Sequence, residues 1–127
     1  LLASADVVKL NEEELETVHE VTSLPARPEA FCREGAARYG WRAVCVTLGA
    51  RGCAMLRGDE YFEAGGHTIN VADTVGAGDA FAAGFMHGLI RGWTVADTAA
   101  FANRLGALVA SRHGAIPHWT LKEALEL

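Results

Sequence analysis

The sequence predicts a layered α/β domain, and three observations lead to that prediction. Short apolar runs suited to interior strands alternate with segments whose apolar residues recur at helical spacing. Glycine, proline and helix-capping residues separate these runs, as is typical of α/β architectures. The 127 residues suit one domain with one hydrophobic core, and half of them are hydrophobic. We find no internal repeat and no linker.

The first half of the chain is expected to supply the strands. They are predicted at residues 6–10, 43–48, 53–56 and 60–63, with one more at 67–71. Asn11 should cap a first helix that has acids in its first turn, where the helix dipole favours them. A second helix is predicted to start at Pro28 and to end near Tyr39, since Gly40 follows.

The second half is expected to be mainly helical. From Asp79 an apolar stripe runs to Gly92, and it consists of Phe81, Phe85, Met86, Leu89 and Ile90. Thr94 should cap the next helix, with a stripe of Val95, Ala99, Ala102, Leu105, Leu108 and Val109. Gly84 and Gly88 lie on one helix face, which predicts that another element packs closely there. A capping box at residues 120–123 predicts a short final helix.

Composition excludes several classes of function. The net charge is −5 with acids and bases interspersed, so we expect no nucleic-acid partner. The three cysteines form no C-x-x-C pair, which argues against a disulfide framework or a zinc site and favours a reducing cytoplasm. The apolar runs are too short to span a membrane, and the start of the chain lacks the features of a signal peptide, so no membrane association is expected.

The segment Gly76-Ala77-Gly78-Asp79 precedes a predicted helix and could hold a phosphate. Helix N-termini present unpaired amides and partial positive charge, and glycines allow an anion to approach them. Asp79 could then accept a proton from an acceptor hydroxyl. A plain tight turn with a dipole-complementing acid explains the same spacing, and the motif alone leaves both readings open. The P-loop pattern is absent, and Phe81 stands where a dinucleotide fingerprint needs a third glycine.

Four segments together resemble one family. The run from Asp73 to Phe85 is similar to the signature of the ribokinase-like (PfkB) carbohydrate kinases. Lys9-Leu10-Asn11-Glu12-Glu13-Glu14 resembles the N-x-x-E motif of that family, and residues 47–52 resemble its T-L-G-x-x-G turn. Residues 101–115 look like its closing helix and loop. The resemblance implies the C-terminal part of a ribokinase-like three-layer α/β/α domain, as a single partial domain over residues 1–127.

The resemblance assigns roles to individual residues. It makes Asp79 the catalytic base of an ATP-dependent sugar kinase, and the amides of Gly76, Ala77 and Gly78 the anion hole. It also assigns six residues to the binding of ATP, its phosphates and Mg²⁺: Asn11, Glu14, Thr47, Gly49, Gly52 and Asn103.

Each of these nucleotide-site motifs also has a structural explanation. Asn-x-x-Glu is also a capping box. The turn at 49–52 also suits a hairpin, and Asn103 could simply lie on the exposed side of a helix.

A monovalent cation such as K⁺ is bound beside the anion hole in many members of the family. The resemblance implies the Asp73 carboxylate and four carbonyls as its ligands, those of Val75, Val109, Arg112 and Gly114. One usual ligand, a serine, is replaced here by His118, and a protonatable imidazole is a poor ligand for potassium. Cation activation therefore stays open.

The resemblance implies that the part of the family fold that recognises the acceptor lies outside this sequence. The chain corresponds to roughly the last two-fifths of a family member, without the N-terminal sugar-binding part and lid. We therefore expect the isolated chain to be inactive and its uncovered sheet edges to favour association, which leaves a homo-oligomer open. The acceptor is expected to be a sugar of the fructose or 2-keto-3-deoxygluconate type. A nucleoside acceptor or a non-enzymatic nucleotide-binding role are the alternatives.

Overall fold

A computed structural model describes residues 4–65 and 76–110. Within those ranges eight regular elements follow one another: β1 (Val7–Asn11), α1 (Glu12–Thr22), α2 (Pro28–Tyr39), β2 (Ala43–Thr47), β3 (Gly52–Arg57), β4 (Glu60–Gly65), α3 (Ala77–Arg91) and α4 (Val95–Ala110). A single 3₁₀ turn, Gly49–Arg51, lies between β2 and β3. The strand expected at 67–71 and the helix expected from Thr120 lie outside the described residues.

The helix boundaries follow local signals in the sequence. Asn11 caps α1 through its side chain, and Gly40 ends α2 in the left-handed conformation at φ 74°. Gly92 ends α3 in the same way at φ 71°. Thr94 accepts a hydrogen bond from the Asp97 amide at 3.1 Å, which caps α4 as expected. β3 and β4 are longer than expected, since pairing extends them as far as Gly52 and Gly65.

The strands form one mixed sheet in the order β1-β2-β3-β4. β1 and β2 are parallel, as the two intervening helices require, while β2, β3 and β4 are joined by tight turns and are antiparallel. In the parallel pair Val7 lies opposite Ala43 and Asn11 lies opposite Thr47. The two strands therefore end at the same level.

Helices cover both faces of the sheet. On one face α1 and α2 pack through a core of Val8, Leu15, Leu24, Phe31, Cys32, Trp41, Val44, Val46 and Leu56. On the other face α3 and α4 pack through Ala43, Cys45, Cys53, Met55, Phe81, Phe85, Val95, Ala99 and Ala102. Because side chains alternate along a strand, β2 contributes to both cores. The layers are helix, sheet and helix, which confirms the predicted α/β/α architecture.

The glycines of α3 allow α4 to approach closely, as predicted. A methyl group built on Gly84 would lie 2.8 Å from the Ala102 Cα, and one on Gly88 would lie 2.4 Å from the Thr98 Oγ1. The helix that the apolar stripe predicted is present as α3, but two residues of the stripe are not buried: Met86 is 42% exposed and Ile90 is 80% exposed. They lie on the side of α3 that faces away from the described core.

Candidate active site

The two parallel strands end where a ligand site is expected in an α/β sheet. Ligands of such sheets bind beyond the carboxyl ends of the strands. Here Asn11 and Thr47 are the last residues of β1 and β2 and lie opposite each other. The Thr47 hydroxyl donates to the Leu10 carbonyl at 3.4 Å, across the same pair of strands. Two of the motifs singled out in the sequence thus meet at one sheet edge.

Asn11 and Glu14 form a complete capping box. The Asn11 Oδ1 accepts from the Glu14 amide at 2.8 Å, and the Glu14 Oε1 accepts from the Asn11 amide at 2.9 Å. Both residues are exposed. The capping explanation of the motif is therefore confirmed, and the pair stands in the solvent at the end of β1, where a phosphate or a hydrated cation could reach it.

The turn after β2 is a short hairpin connection between β2 and β3, so that explanation of its glycines is confirmed as well. Gly49 and Gly52 have φ values of 60° and 104°, in the region that favours glycine. The Leu48 amide donates to the Gly52 carbonyl at 2.8 Å and closes the turn. An ion pair joins Arg51 in this turn to Glu12 in the first turn of α1.

The Glu12–Arg51 pair brings the N-x-x-E motif and the T-L-G-x-x-G turn into direct contact. The carboxylate beside it raises the pKa of the Arg51 guanidinium above its ordinary value. Both side chains are more than half exposed, so the pair contributes little to stability. Its effect is to hold the turn against the start of α1.

Among residues 4–65 and 76–110, no side chain caps the first-turn amides of α3. Gly76 is the N-cap, in the left-handed conformation at φ 86°, and it has no side chain to accept a hydrogen bond. The first intrahelical bond runs from the Ala80 amide to the Gly76 carbonyl at 2.9 Å. The amides of Ala77, Gly78 and Asp79 therefore have no intrahelical acceptor. In α1 and α4, by contrast, Asn11 and Thr94 accept from the first-turn amides.

Asp79 is the third residue of α3, and its side chain is exposed at the same end of the helix. An acid in the first turn is favoured by the helix dipole. The structure thus places the expected base and the expected anion hole on one turn of one helix.

Lys9 of β1 is a residue at this site to which no role is assigned above. A methyl group built on Gly78 would lie 3.8 Å from the Lys9 Nζ, and the ammonium lies 5.9 Å from the centre of the Phe81 ring. The signal in the sequence was a lysine within the run of apolar residues that predicted β1. That contact also shows that the start of α3 lies beside β1.

Asn103 lies in α4 and is only 9% exposed, so the alternative explanation, a polar residue on the exposed side of a helix, is wrong. Its Nδ2 donates to the carbonyl of Gly65 at the end of β4. Gly65 pairs with Gly52 of the turn after β2. Asn103 and the turn are therefore connected through the edge of the sheet. The start of α3 also contacts α4, since a methyl group on Gly106 would lie 3.4 Å from the Ala77 carbonyl.

The expected cation ligands fall mainly outside the described residues. Asp73, Val75, Arg112 and Gly114 lie there, and Val109 is the one ligand inside them. Val109 lies in α4, next to the last described residue of that helix. Within residues 4–65 and 76–110, no three His, Cys, Asp or Glu side chains are grouped to hold a metal ion. No helix of those ranges is both long and apolar enough to cross a membrane.

Known proteins resemble this chain over almost its whole length. A fructokinase from Escherichia coli is 32% identical over 131 residues, covering 98% of this chain and 41% of that protein. A 1-phosphofructokinase from Rhodobacter capsulatus is 40% identical over 112 residues, covering 85% of this chain and 35% of that protein. The crystal structure of 2-dehydro-3-deoxygluconokinase from Thermotoga maritima superposes with a TM-score of 0.84 at 23% identity, covering 99% of this chain and 42% of that one.

The chain spans less than half the length of each of these three proteins. The likeness to the Thermotoga structure shows the fold, because its sequence identity is low. The family assignment comes from the sequence profile described as pfkB family carbohydrate kinase, which matches residues 1–121. The chain belongs to the pfkB family of carbohydrate kinases.

Proposed function

We propose that this chain supplies the phosphoryl-transfer part of an ATP-dependent sugar kinase. The observation that carries the proposal is the uncapped first turn of α3, in which the amides of Ala77 and Gly78 adjoin the exposed carboxylate of Asp79. Donors fixed in place before the reaction stabilise charge that develops on a transferring phosphoryl group. Among the described residues, α1 and α4 have a side-chain cap and α2 has Pro28 in its first turn, whereas α3 has neither.

In the proposed reaction Asp79 acts as the base. The acceptor hydroxyl oxygen forms a bond to the terminal phosphorus of ATP, and the bond from that phosphorus to the bridging oxygen breaks. The electron pair of the broken bond stays on the ADP oxygen, and the hydroxyl proton passes to the Asp79 carboxylate. The amides at the start of α3 donate to the oxygens of the group in transit. Phosphoryl transfer needs little covalent chemistry from the protein, so positioning and charge stabilisation account for most of the catalysis.

The nucleotide would lie along the sheet edge described above. Thr47, Gly49 and Gly52 line the turn after β2, and Asn103 is tied to that turn through Gly65. Glycines with positive φ at 49 and 52 keep the turn free of side chains that would block a ring. The Asn103 amide nitrogen is already bonded to Gly65, so its carbonyl oxygen is the group we expect to face the nucleotide.

Mg²⁺ fits the donor set at the start of α1. Mg²⁺ is usually held by one or two carboxylates together with waters and substrate phosphates. Glu14 uses one carboxylate oxygen for the capping bond to Asn11 and is exposed, so its second oxygen could accept from water bound to the metal. The metal would neutralise phosphate charge. For K⁺, four of the five expected ligands lie outside the described residues, so we propose only that the Val109 carbonyl is available to it.

The acceptor is proposed to be a sugar or a sugar acid. Fructokinase and 2-dehydro-3-deoxygluconokinase are among the similar proteins, which supports the fructose and 2-keto-3-deoxygluconate types. The similar 1-phosphofructokinase adds a phosphorylated sugar to the acceptors that need testing.

The Asp79→Asn variant tests the proposal in the complete protein that contains this sequence. ATP-dependent phosphorylation would be measured by a coupled ADP assay on fructose, fructose 1-phosphate, 2-keto-3-deoxygluconate and adenosine. Loss of a general base typically costs 10²- to 10⁴-fold, so we expect kcat to fall by about that factor. Unchanged turnover would show that Asp79 is not the base.

Asp97→Asn is the matched control for that test. Asp97 is also exposed and is also the third residue of its helix, but it lies at the start of α4, whose first turn is capped by Thr94. Its loss should leave kcat within about twofold, because surface changes away from a site have small effects. MgATP binding without turnover of any acceptor would favour the non-enzymatic alternative.

A further inference from the structure

Lys9 occupies an unusual position for a lysine in this sheet. The neighbouring Val8 points into the core beneath α1 and α2, so Lys9 points to the opposite face, which α3 and α4 cover. Val7, which shares that face, packs against the apolar core there. Lys9 is half-buried, and its ammonium lies 5.9 Å from the centre of the Phe81 ring. Lysine on a covered sheet face is uncommon unless its charge has a partner.

The described residues supply no acidic partner for this ammonium. The ion pairs formed within residues 4–65 and 76–110 are Glu29–Arg33, Asp6–Arg42 and Glu12–Arg51, and none includes Lys9. The first turn of α3 lies close to the ammonium, since a methyl group on Gly78 would lie 3.8 Å from the Lys9 Nζ. That turn carries the positive end of the helix dipole. Two positive features therefore lie side by side, an arrangement that an anion between them would stabilise.

We propose that Lys9 is a further phosphate-binding residue of this site. This inference rests on the proposed function and adds a residue to it. The Lys9 ammonium would donate to an oxygen of the phosphoryl group in transit, while the amides of Ala77 and Gly78 donate from the helix. The phosphorus–oxygen bonds formed and broken are those described for Asp79, and Lys9 keeps its proton throughout. Its charge offsets the negative charge that builds on the phosphoryl oxygens.

The Phe81 ring lies close to the Lys9 ammonium. An ammonium within about 6 Å of an aromatic centroid is attracted to the ring, and the separation here is 5.9 Å. Phe81 is 5% exposed and belongs to the same helix as Gly78. The Lys9 Nζ therefore lies close both to this buried ring and to the first turn of α3.

The test is Lys9→Met in the complete protein, measured with the acceptor that supports turnover. Removing one donor from a charge-stabilising site typically costs 10²- to 10³-fold in kcat, so we expect a loss of about 10²-fold with a smaller change in the KM for ATP. Lys9→Arg should recover part of the loss, because it keeps the charge with a different geometry. A kcat for Lys9→Met within about threefold of the wild type would overturn the proposal.

Arg91→Met is the matched control. It removes a positive charge from the opposite end of α3, where the side chain is exposed. Its kcat should stay within about twofold of the wild type. Circular dichroism of each variant establishes that it is folded. Should Lys9→Met not fold, Lys9→Gln replaces it, and the same threefold limit on kcat applies.

A labelling experiment on the wild-type protein needs no variant. MgATP should slow the acetylation of Lys9 by acetic anhydride, followed by mass spectrometry, and an equal rate with and without MgATP would contradict the proposal. Different results contradict the proposed kinase function and the proposed role of Lys9. Absence of turnover on every acceptor contradicts the proposed kinase function, whereas turnover that is lost in Asp79→Asn but kept in Lys9→Met contradicts only the role of Lys9.

Discussion

Individual residues of the two cores differ from those of the site in their contact with water. Cys32, Cys45 and Cys53 are fully buried and form no disulfide with one another, while Asn11, Glu14 and Asp79 are exposed. Burial raises the pKa of the Cys32 thiol to about 12. Only the thiolate is reactive, so Cys32 should be inert at neutral pH and its role is packing.

The raised pKa of Cys32 predicts how stability changes with pH. The folded protein holds the proton more tightly than the unfolded chain, whose thiol has an ordinary pKa of 9.0. The protonated Cys32 thiol therefore contributes up to about 4 kcal/mol to the free energy of unfolding. That contribution is complete below pH 9 and is lost as the pH rises toward 12. Urea unfolding between pH 8 and 11 should show a steeper alkaline decline for the wild type than for Cys32→Ala. Parallel profiles would contradict the assignment.

At the scale of elements, the close approach of α3 and α4 decides where the site residues lie. Gly84 and Gly88 allow the contact, and Gly106 of α4 lies beside the Ala77 carbonyl at the start of α3. The same contact leaves Met86 and Ile90 on the uncovered side of α3. Because α4 also carries Asn103, its packing on α3 sets the position of that expected nucleotide-site residue relative to the expected anion hole at the start of α3.

Gly84→Ala tests this packing by overfilling it. The added methyl would lie 2.8 Å from the Ala102 Cα, a backbone atom that cannot move aside by rotation. Overpacking of this kind costs about 1–3 kcal/mol, which should exceed the gain in helix propensity of roughly 1 kcal/mol. Urea denaturation should show a lower free energy of unfolding.

Gly78→Ala is the matched control in the same helix. Its new methyl would meet only the Lys9 Nζ, at an ordinary contact distance of 3.8 Å. Stability should therefore be unchanged or should rise by up to about 1 kcal/mol. Equal stabilities of the two variants would show that α3 and α4 are less tightly packed than described.

At the scale of the whole molecule, the described sheet has two edge strands, β1 and β4. β1 pairs only with β2 among the described strands, although helices cover both faces of the sheet. An edge strand offers unpaired backbone groups to another strand. The exposed Ile90 of α3 adds apolar surface. The chain covers 41% of the similar fructokinase, so residues outside that match complete the relative.

We predict that the 127 residues alone have little or no kinase activity and that they associate as their concentration rises. The expected base and anion hole are on this chain, whereas the family resemblance places the acceptor-binding residues in the part of the fold that this chain does not match. A coupled ADP assay on the sugar panel would measure the kinase activity. Sedimentation velocity over a range of concentrations would measure the association. ATP-dependent phosphorylation of a sugar by the isolated chain would contradict the expected inactivity. A monomer at every concentration would contradict the expected association.

Features set by neighbouring residues could be predicted from the sequence. The Asn11 capping box, the left-handed glycines at 40 and 92 and the Thr94 cap all depend on backbone preferences within a few residues, and all are confirmed. The alternation of strand-like apolar runs with segments of helical spacing likewise predicted the layered fold, because each pattern is visible within a short stretch of sequence. The motif at 76–79 predicted a helix start, and α3 begins at Ala77.

Only the tertiary structure decided which face of each element is buried. Ile90 fits the apolar period of α3 but faces away from the described core, and Asn103 is polar but nearly buried, because the placement of α4 determines both. Lys9 lies near Gly78 although 69 residues separate them in the sequence. Such contacts depend on how the sheet and helices pack, and no local pattern records that packing. The sequence by itself therefore determined the family, the elements and the candidate motifs, whereas their convergence at one sheet edge required the fold.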